Sequence, residues 1–184
     1  TSSTSPHYLT SLAPGNYRVE EVSPPSGYTL NSNSIPFTVT NTMTDRIEIS
    51  FPNTKSQITI TKVDEQGQVL KGAKLEIYNA AGTKVDEFTS DTTPTVIDGL
   101  DIGSYTLREV EAPDGYQLNP IPVSFEITAD TENLQVSMTN HKNSISFAKV
   151  DSETGNYVSG AKMRLVTADG DLVEEWTSAN DVHI

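Results

Sequence analysis

The sequence predicts an all-β chain built as tandem immunoglobulin-like β-sandwich repeats, one complete and two partial. Short segments alternate apolar with polar residues, the period of a strand with one buried face, and none sustains a helical 3.6-residue period. Turn signals recur at about eight- to twelve-residue intervals, the spacing of a sandwich. The third observation is repetition: Lys62 and Lys149 are 87 residues apart, as are Asn53 and Asn140, while Glu21 and Glu109 are 88 apart, each in matching surroundings.

The first piece, residues 1–54, opens with the Ser/Thr-rich Thr1-Ser-Ser-Thr-Ser-Pro6 and the turn Leu12-Ala-Pro-Gly15. A strand is expected up to Val22, then the Ser23-Pro-Pro-Ser-Gly27 loop, whose prolines forbid a helix or a central strand. Tyr28–Leu30, Ile35–Thr40 and Arg46–Phe51 read as further strands, with Thr42–Asp45 as a turn. Thr1 reads as an interior cut of a longer chain. Thr54-Lys-Ser56 is a linker too short for its flanking domains to tumble independently.

The complete repeat spans residues 57–142. Its expected strands are Ile58–Val63, Ala73–Asn79, Val85–Thr89, Thr95–Ile97, Tyr105–Val110, Val123–Ile127 and Leu134–Thr139. Asp64-Glu-Gln-Gly67 and Ala80-Ala-Gly-Thr83 supply turns between them. The last piece, residues 143–184, copies the start of the second: Ile145–Val150, Ala161–Thr167 and Leu172–Thr177 read as strands, and Trp176 takes the core position of Phe88.

Strand parity singles out three polar residues. Ile58 and Ile60 lead inward to Lys62, Tyr105 and Leu107 to Glu109, and Leu134, Val136 and Met138 to Asn140. Burying an unpaired amine or carboxylate is costly, so such groups are paired, neutralised or chemically consumed. A buried Lys–Glu ion pair with Asn as hydrogen-bond partner satisfies the pattern, and so does a reaction among the three. Glu21, Asn53 and Lys149 are their counterparts in the partial repeats. In an apolar setting Lys62 is expected to shift toward its nucleophilic neutral amine and Glu109 toward its acid form.

The Lys62-Val-Asp64 end of the first strand, Gly72-Ala-Lys74, Leu100-x-x-Gly103-x-Tyr105-x-Leu107, Arg108-Glu109-x-x-Ala112-Pro113-x-Gly115-Tyr116 and the closing Asn140 together resemble the Cna-B-type, prealbumin-like (SpaA-type) repeat domains of Gram-positive pilins and surface adhesins. The resemblance covers essentially the whole chain. It implies an intramolecular isopeptide bond between Lys62 and Asn140 assisted by Glu109, and a stalk role on an extracellular, cell-wall-anchored surface protein. By repetition it extends to Glu21, Asn53 and Lys149. The head repeat departs at Pro24, where the complete one has Ala112, but keeps Glu21 and Gly27-Tyr28. Each partial repeat needs a complement, and the segment of Lys149 is expected beside that of Asn53, supplied by a neighbouring molecule in preference to fold-back; in a longer chain Lys149 would instead bond to an Asn beyond Ile184.

Composition bounds the alternatives. With no cysteine, neither a disulfide nor a Cys-based metal site exists. A formal charge of −13 argues against nucleic acid or an anionic membrane as partner, and no apolar run reaches the length of a membrane span. The expected partners are neighbouring repeats, with host matrix or cell-surface ligands engaged through other domains. No cofactor is expected. His7, His141 and His183 lack ligand spacing, and the Asp64 and Asp151 turns lack the ligand count of calcium loops. Tyr28 and Tyr116 read as packed corner residues. Two further readings are a ligand-binding adhesive module and an accessory sandwich of a secreted carbohydrate-active enzyme. The first needs a clustered aromatic or basic loop and the second paired carboxylates in a cleft; neither stands out. Self-cross-linking is a single turnover, so the chain is not expected to be an enzyme.

Overall fold

The computed structural model describes residues 5–184 and is all-β, with no helix among them. The chain divides into two compact units, Thr1–His141 and Lys142–Ile184.

The complete repeat lies in the first unit and consists of two sheets. Strands β3 (Gln57–Asp64), β6 (Thr95–Asp98) and β9 (Leu134–Asn140) form one, in the order β6-β3-β9. Strands β4 (Lys74–Asn79), β5 (Lys84–Thr89), β7 (Gly103–Glu111) and β8 (Val123–Ile127) form the other, in the order β5-β4-β7-β8. The second sheet is antiparallel throughout, whereas β3 and β9 run parallel, with Ile58 opposite Leu134 and Asp64 opposite Asn140. Alternation along β3 buries Ile58, Ile60, Lys62 and Asp64, and the two isoleucines join Leu75, Ile77, Leu107, Val136 and Met138 in one core. Fully burying each such aliphatic side chain is worth about 1.5–3 kcal/mol.

The head piece contributes the hairpin β1 (Gly15–Glu20) and β2 (Ser34–Val39), counterparts of β7 and β8. Tyr17 stacks on Phe37 at 5.5 Å between ring centres and Tyr105 on Phe125 at 5.4 Å. Each tyrosine hydroxyl donates to the carbonyl four residues upstream, Ala13 or Asp101, at 2.8 Å. These are the corner tyrosines, set by their hydroxyl bonds; Tyr28 and Tyr116, read from the sequence as corners, are half-buried, as Tyr17 is. A phenol packs as a corner when its hydroxyl finds a backbone acceptor, and alternation alone does not reveal that acceptor.

The 54–56 segment is a built joint. Thr29 N–H donates to Thr54 O (2.8 Å), Ser56 N–H to Gly27 O (3.0 Å) and Gly99 N–H to Ser56 O (2.8 Å). The Ser56 hydroxyl, only 2% exposed as a residue, donates to Leu100 O at 2.6 Å. Gly27 has φ 75°, and a Cβ there would lie 2.7 Å from Gly99 O, so close approach of two backbones dictates glycine. Leu30 N–H adds a bond to Ala129 O at 2.7 Å.

The second unit holds the hairpin β10 (Lys162–Val166) and β11 (Leu172–Thr177), with Trp176 between Phe147 and His183. Two expected strands do not form. Residues 46–51 are irregular, and 145–150 carry only the single bridges Phe147–His183 and Val150–Tyr157. Their counterparts in the complete repeat, β9 and β3, owe their regularity to pairing with each other. A short alternating segment without a partner ladder has no such support. Tyr28–Leu30 is likewise reduced to one bridge, Tyr28–Lys55.

Candidate functional site

Lys62, Glu109 and Asn140 meet inside the complete repeat. Their strands alternate so that each reaches the core face after a run of apolar residues, as parity predicts. The side chain of Lys62 is 1% exposed and that of Glu109 not at all, and Asn140 is fully buried. Lys62 Nζ touches Asn140 Oδ1, donates to Met138 O at 3.1 Å, and lies 3.7 Å from Glu109 Oε1. Asn140 Nδ2 donates to both oxygens of Glu109, at 2.9 and 2.8 Å, and to Gln117 O at 2.9 Å. Burial lowers the Lys62 amine below its ordinary value of 10.5, with the Glu109 charge acting in the opposite, weaker sense.

An acid that polarised the carboxamide would sit at its oxygen, and Glu109 does not. Instead it faces the nitrogen, and the oxygen faces Lys62. Gln117 O fixes this orientation, because a carbonyl can only accept and must therefore see the –NH2 side of Asn140.

The head piece repeats the acid–amide half of the site. Asn53 Nδ2 donates to both oxygens of Glu21 (2.9 and 2.7 Å) and to Thr29 O (2.9 Å), as Asn140 does to Glu109 and Gln117 O. Pro24 does not alter the turn: Tyr28 N–H donates to Pro25 O and Tyr116 N–H to Pro113 O, both at 3.1 Å. Lys149 is exposed in the second unit. The Asp64 carboxylate is occupied by Gln66 and Gln68 N–H, and that of Asp151 by Glu153 and Thr154 N–H, which is turn chemistry. Among the described residues no three His, Cys, Asp or Glu side chains gather as metal ligands.

Sequence reasoning missed Asn119 and Asn31. The backbone N–H of each donates to its glutamate, Glu109 Oε2 or Glu21 Oε2, at 2.7 Å. The signal was present in Gly27-Tyr-Thr-Leu-Asn31 and Gly115-Tyr-Gln-Leu-Asn119, which repeat at the same 88-residue spacing.

Residues 1–55 and 56–142 match the SpaA prealbumin-like fold domain, and the chain belongs to that family. No curated protein matches its sequence. Among solved structures it resembles the Bacillus anthracis TIE protein, with 27% identity and a TM-score of 0.57, covering 94% of this chain and 34% of that one. It also resembles the group B streptococcus pilus 2b backbone protein (23% identity, TM-score 0.45, 67% of this chain and 52% of that one). A third is BcpA, the major pilin subunit of Bacillus cereus (19% identity, TM-score 0.46, 53% and 31%). The chain thus spans about a third to a half of the length of these relatives.

Proposed function

We propose that this chain is a tension-bearing stalk segment of a Gram-positive cell-wall surface adhesin or pilus subunit, stabilised by an isopeptide bond between Lys62 and Asn140. One observation carries the reading: a buried amine of lowered basicity touches a buried carboxamide whose nitrogen is held by a buried carboxylate. Membership of the prealbumin-like family supports the extracellular stalk role.

The chemistry balances within the three residues. The Lys62 ammonium gives a proton to Glu109, and the neutral amine adds to Asn140 Cγ. Glu109 passes its proton to Nδ2, the atom it already contacts, and takes one from the newly bonded Nζ. Ammonia leaves and a secondary amide remains. Folding supplies the proximity that makes so slow an exchange occur once. The product is uncharged, which removes the cost of the buried amine.

Position gives the mechanical consequence. Because β3 and β9 are parallel, pulling Gln57 and Asn140 apart shears their ladder. A bond from Lys62 to Asn140 carries the load past residues 63–139. Treated as a cross-link closing a 78-residue separation, it adds about 4 kcal/mol of loop entropy. Glu21 and Asn53, and separately Lys149, are an acid–acceptor pair and a donor for equivalent bonds.

Intact mass tests the reading. The folded chain is expected to weigh less than its sequence by one ammonia, and Lys62→Ala to weigh its full sequence mass. A folded wild-type chain at full mass would leave only a buried ion pair.

A further inference from the structure

We propose that Asn119 is a positioning residue for the cross-linking reaction, acting through Glu109 and the end of β9. The inference rests on the isopeptide reading and adds a residue to it. Asn119 makes three bonds, each to a different part of the site. Its backbone N–H donates to Glu109 Oε2 at 2.7 Å, its Nδ2 donates to Thr139 O at 2.9 Å, and its Oδ1 accepts from Ile121 N–H at 2.9 Å. The last is a short side-chain-to-backbone turn that sets the side chain, leaving the amide group aimed at Thr139.

The segment from Gln117 to Asn119 therefore brackets the acceptor residue. Asn119 Nδ2 holds Thr139 O, Gln117 O holds Asn140 Nδ2, and Gln117 N–H holds His141 O at 2.8 Å. Asn119 ties the bracket to the strand through its side chain while its own N–H steers the glutamate. Losing the Thr139 bond removes one of the ties that place this loop, and with it part of the anchor that keeps the Glu109 carboxylate on the leaving nitrogen.

The head piece reproduces the arrangement. Asn31 N–H donates to Glu21 Oε2 (2.7 Å), Asn31 Nδ2 to Pro52 O (2.6 Å), and Asn33 N–H to Asn31 Oδ1 (3.1 Å). Thr29 O holds Asn53 Nδ2 at 2.9 Å and Thr29 N–H holds Thr54 O at 2.8 Å. The same asparagine thus recurs in the same contacts where the loop differs at Ser23, Pro24, Ser26 and Thr29. The bracket belongs to the acid–amide geometry, independent of the lysine.

The test follows ammonia loss with time by intact mass after unreacted 184-residue chain, isolated from inclusion bodies in urea, is diluted into refolding buffer. Asn119→Ala removes both side-chain bonds. Asn119→Ser keeps an oxygen for Ile121 N–H but cannot reach Thr139 O. Both are expected to lose ammonia about tenfold more slowly than wild type once folded, since small misplacements of reacting groups are costly. The same substitutions in a Lys62→Ala background, which cannot react, give the purely structural effect as a change in Tm. Wild-type rates in either variant, whatever the change in Tm, would overturn the proposal. A wild-type chain that never loses ammonia would instead sink the isopeptide reading itself.

Discussion

Lys62 and Asn140 stand diagonally across a parallel ladder: Lys62 is in register with Met138, and Asn140 with Asp64. Both side chains point to the core face two residues apart, a gap that the long lysine stem spans and a shorter amine would not. Lys62 also donates to the carbonyl of its register partner Met138, which aims the amine toward the end of β9.

Replacing the acid exposes its role. Glu109→Ala is expected to fold, keep its ammonia and melt lower. Stripping the partner from a buried amine costs about 3–5 kcal/mol, and the cross-link is lost as well. Intact mass and thermal unfolding on the same sample check this; normal bond formation would remove Glu109 from the chemistry.

Burial of Lys62 predicts a pH dependence when the bond cannot form. In Asn140→Ala the amine remains, and its folded-state value lies below the 10.5 of the unfolded chain. Between those values the unfolded chain binds more protons, so stability rises with pH. Urea midpoints of Asn140→Ala, measured against the Lys62→Met/Asn140→Ala double variant, should therefore improve from pH 7 to pH 10. A difference that shrank with pH would mean that the attraction of Glu109 outweighs burial.

The joint between head and complete repeat predicts unequal effects at equivalent glycines. Gly27 and Gly115 both have left-handed backbone, φ 75° and 82°. A Cβ at Gly115 meets nothing within 4 Å, while one at Gly27 meets Gly99 O at 2.7 Å. Gly115→Ala should cost about 1–2 kcal/mol from strain alone. Gly27→Ala should cost more and also raise hydrogen exchange at the Ser56 and Leu30 amides. Equal costs with unchanged exchange would mean the joint is not close-packed.

Pulling on the complete repeat reads the stalk function directly. With handles before Gln57 and after Asn140, Lys62→Ala should unfold in a step of about 250 Å, given roughly 3.3–3.6 Å per extended residue. Wild type should give no such step at any force below covalent rupture. A full-length step in wild type would show the load passing through the fold.

Alternation is local, so the sequence alone placed Lys62, Glu109 and Asn140 on inward faces, and the repeat spacing alone tied Glu21, Asn53 and Lys149 to them. It also located most strands, because each carries its own apolar stripe. Pairing is not local. That β3 lies parallel to β9, that 46–51 and 145–150 stay irregular without such a partner, and that Tyr17 and Tyr105 rather than Tyr28 and Tyr116 serve as corners were decided by which backbone groups each segment meets. Tertiary structure likewise turned the Asn140 nitrogen toward Glu109, because the carbonyl of Gln117, far away in sequence, can only accept a hydrogen bond.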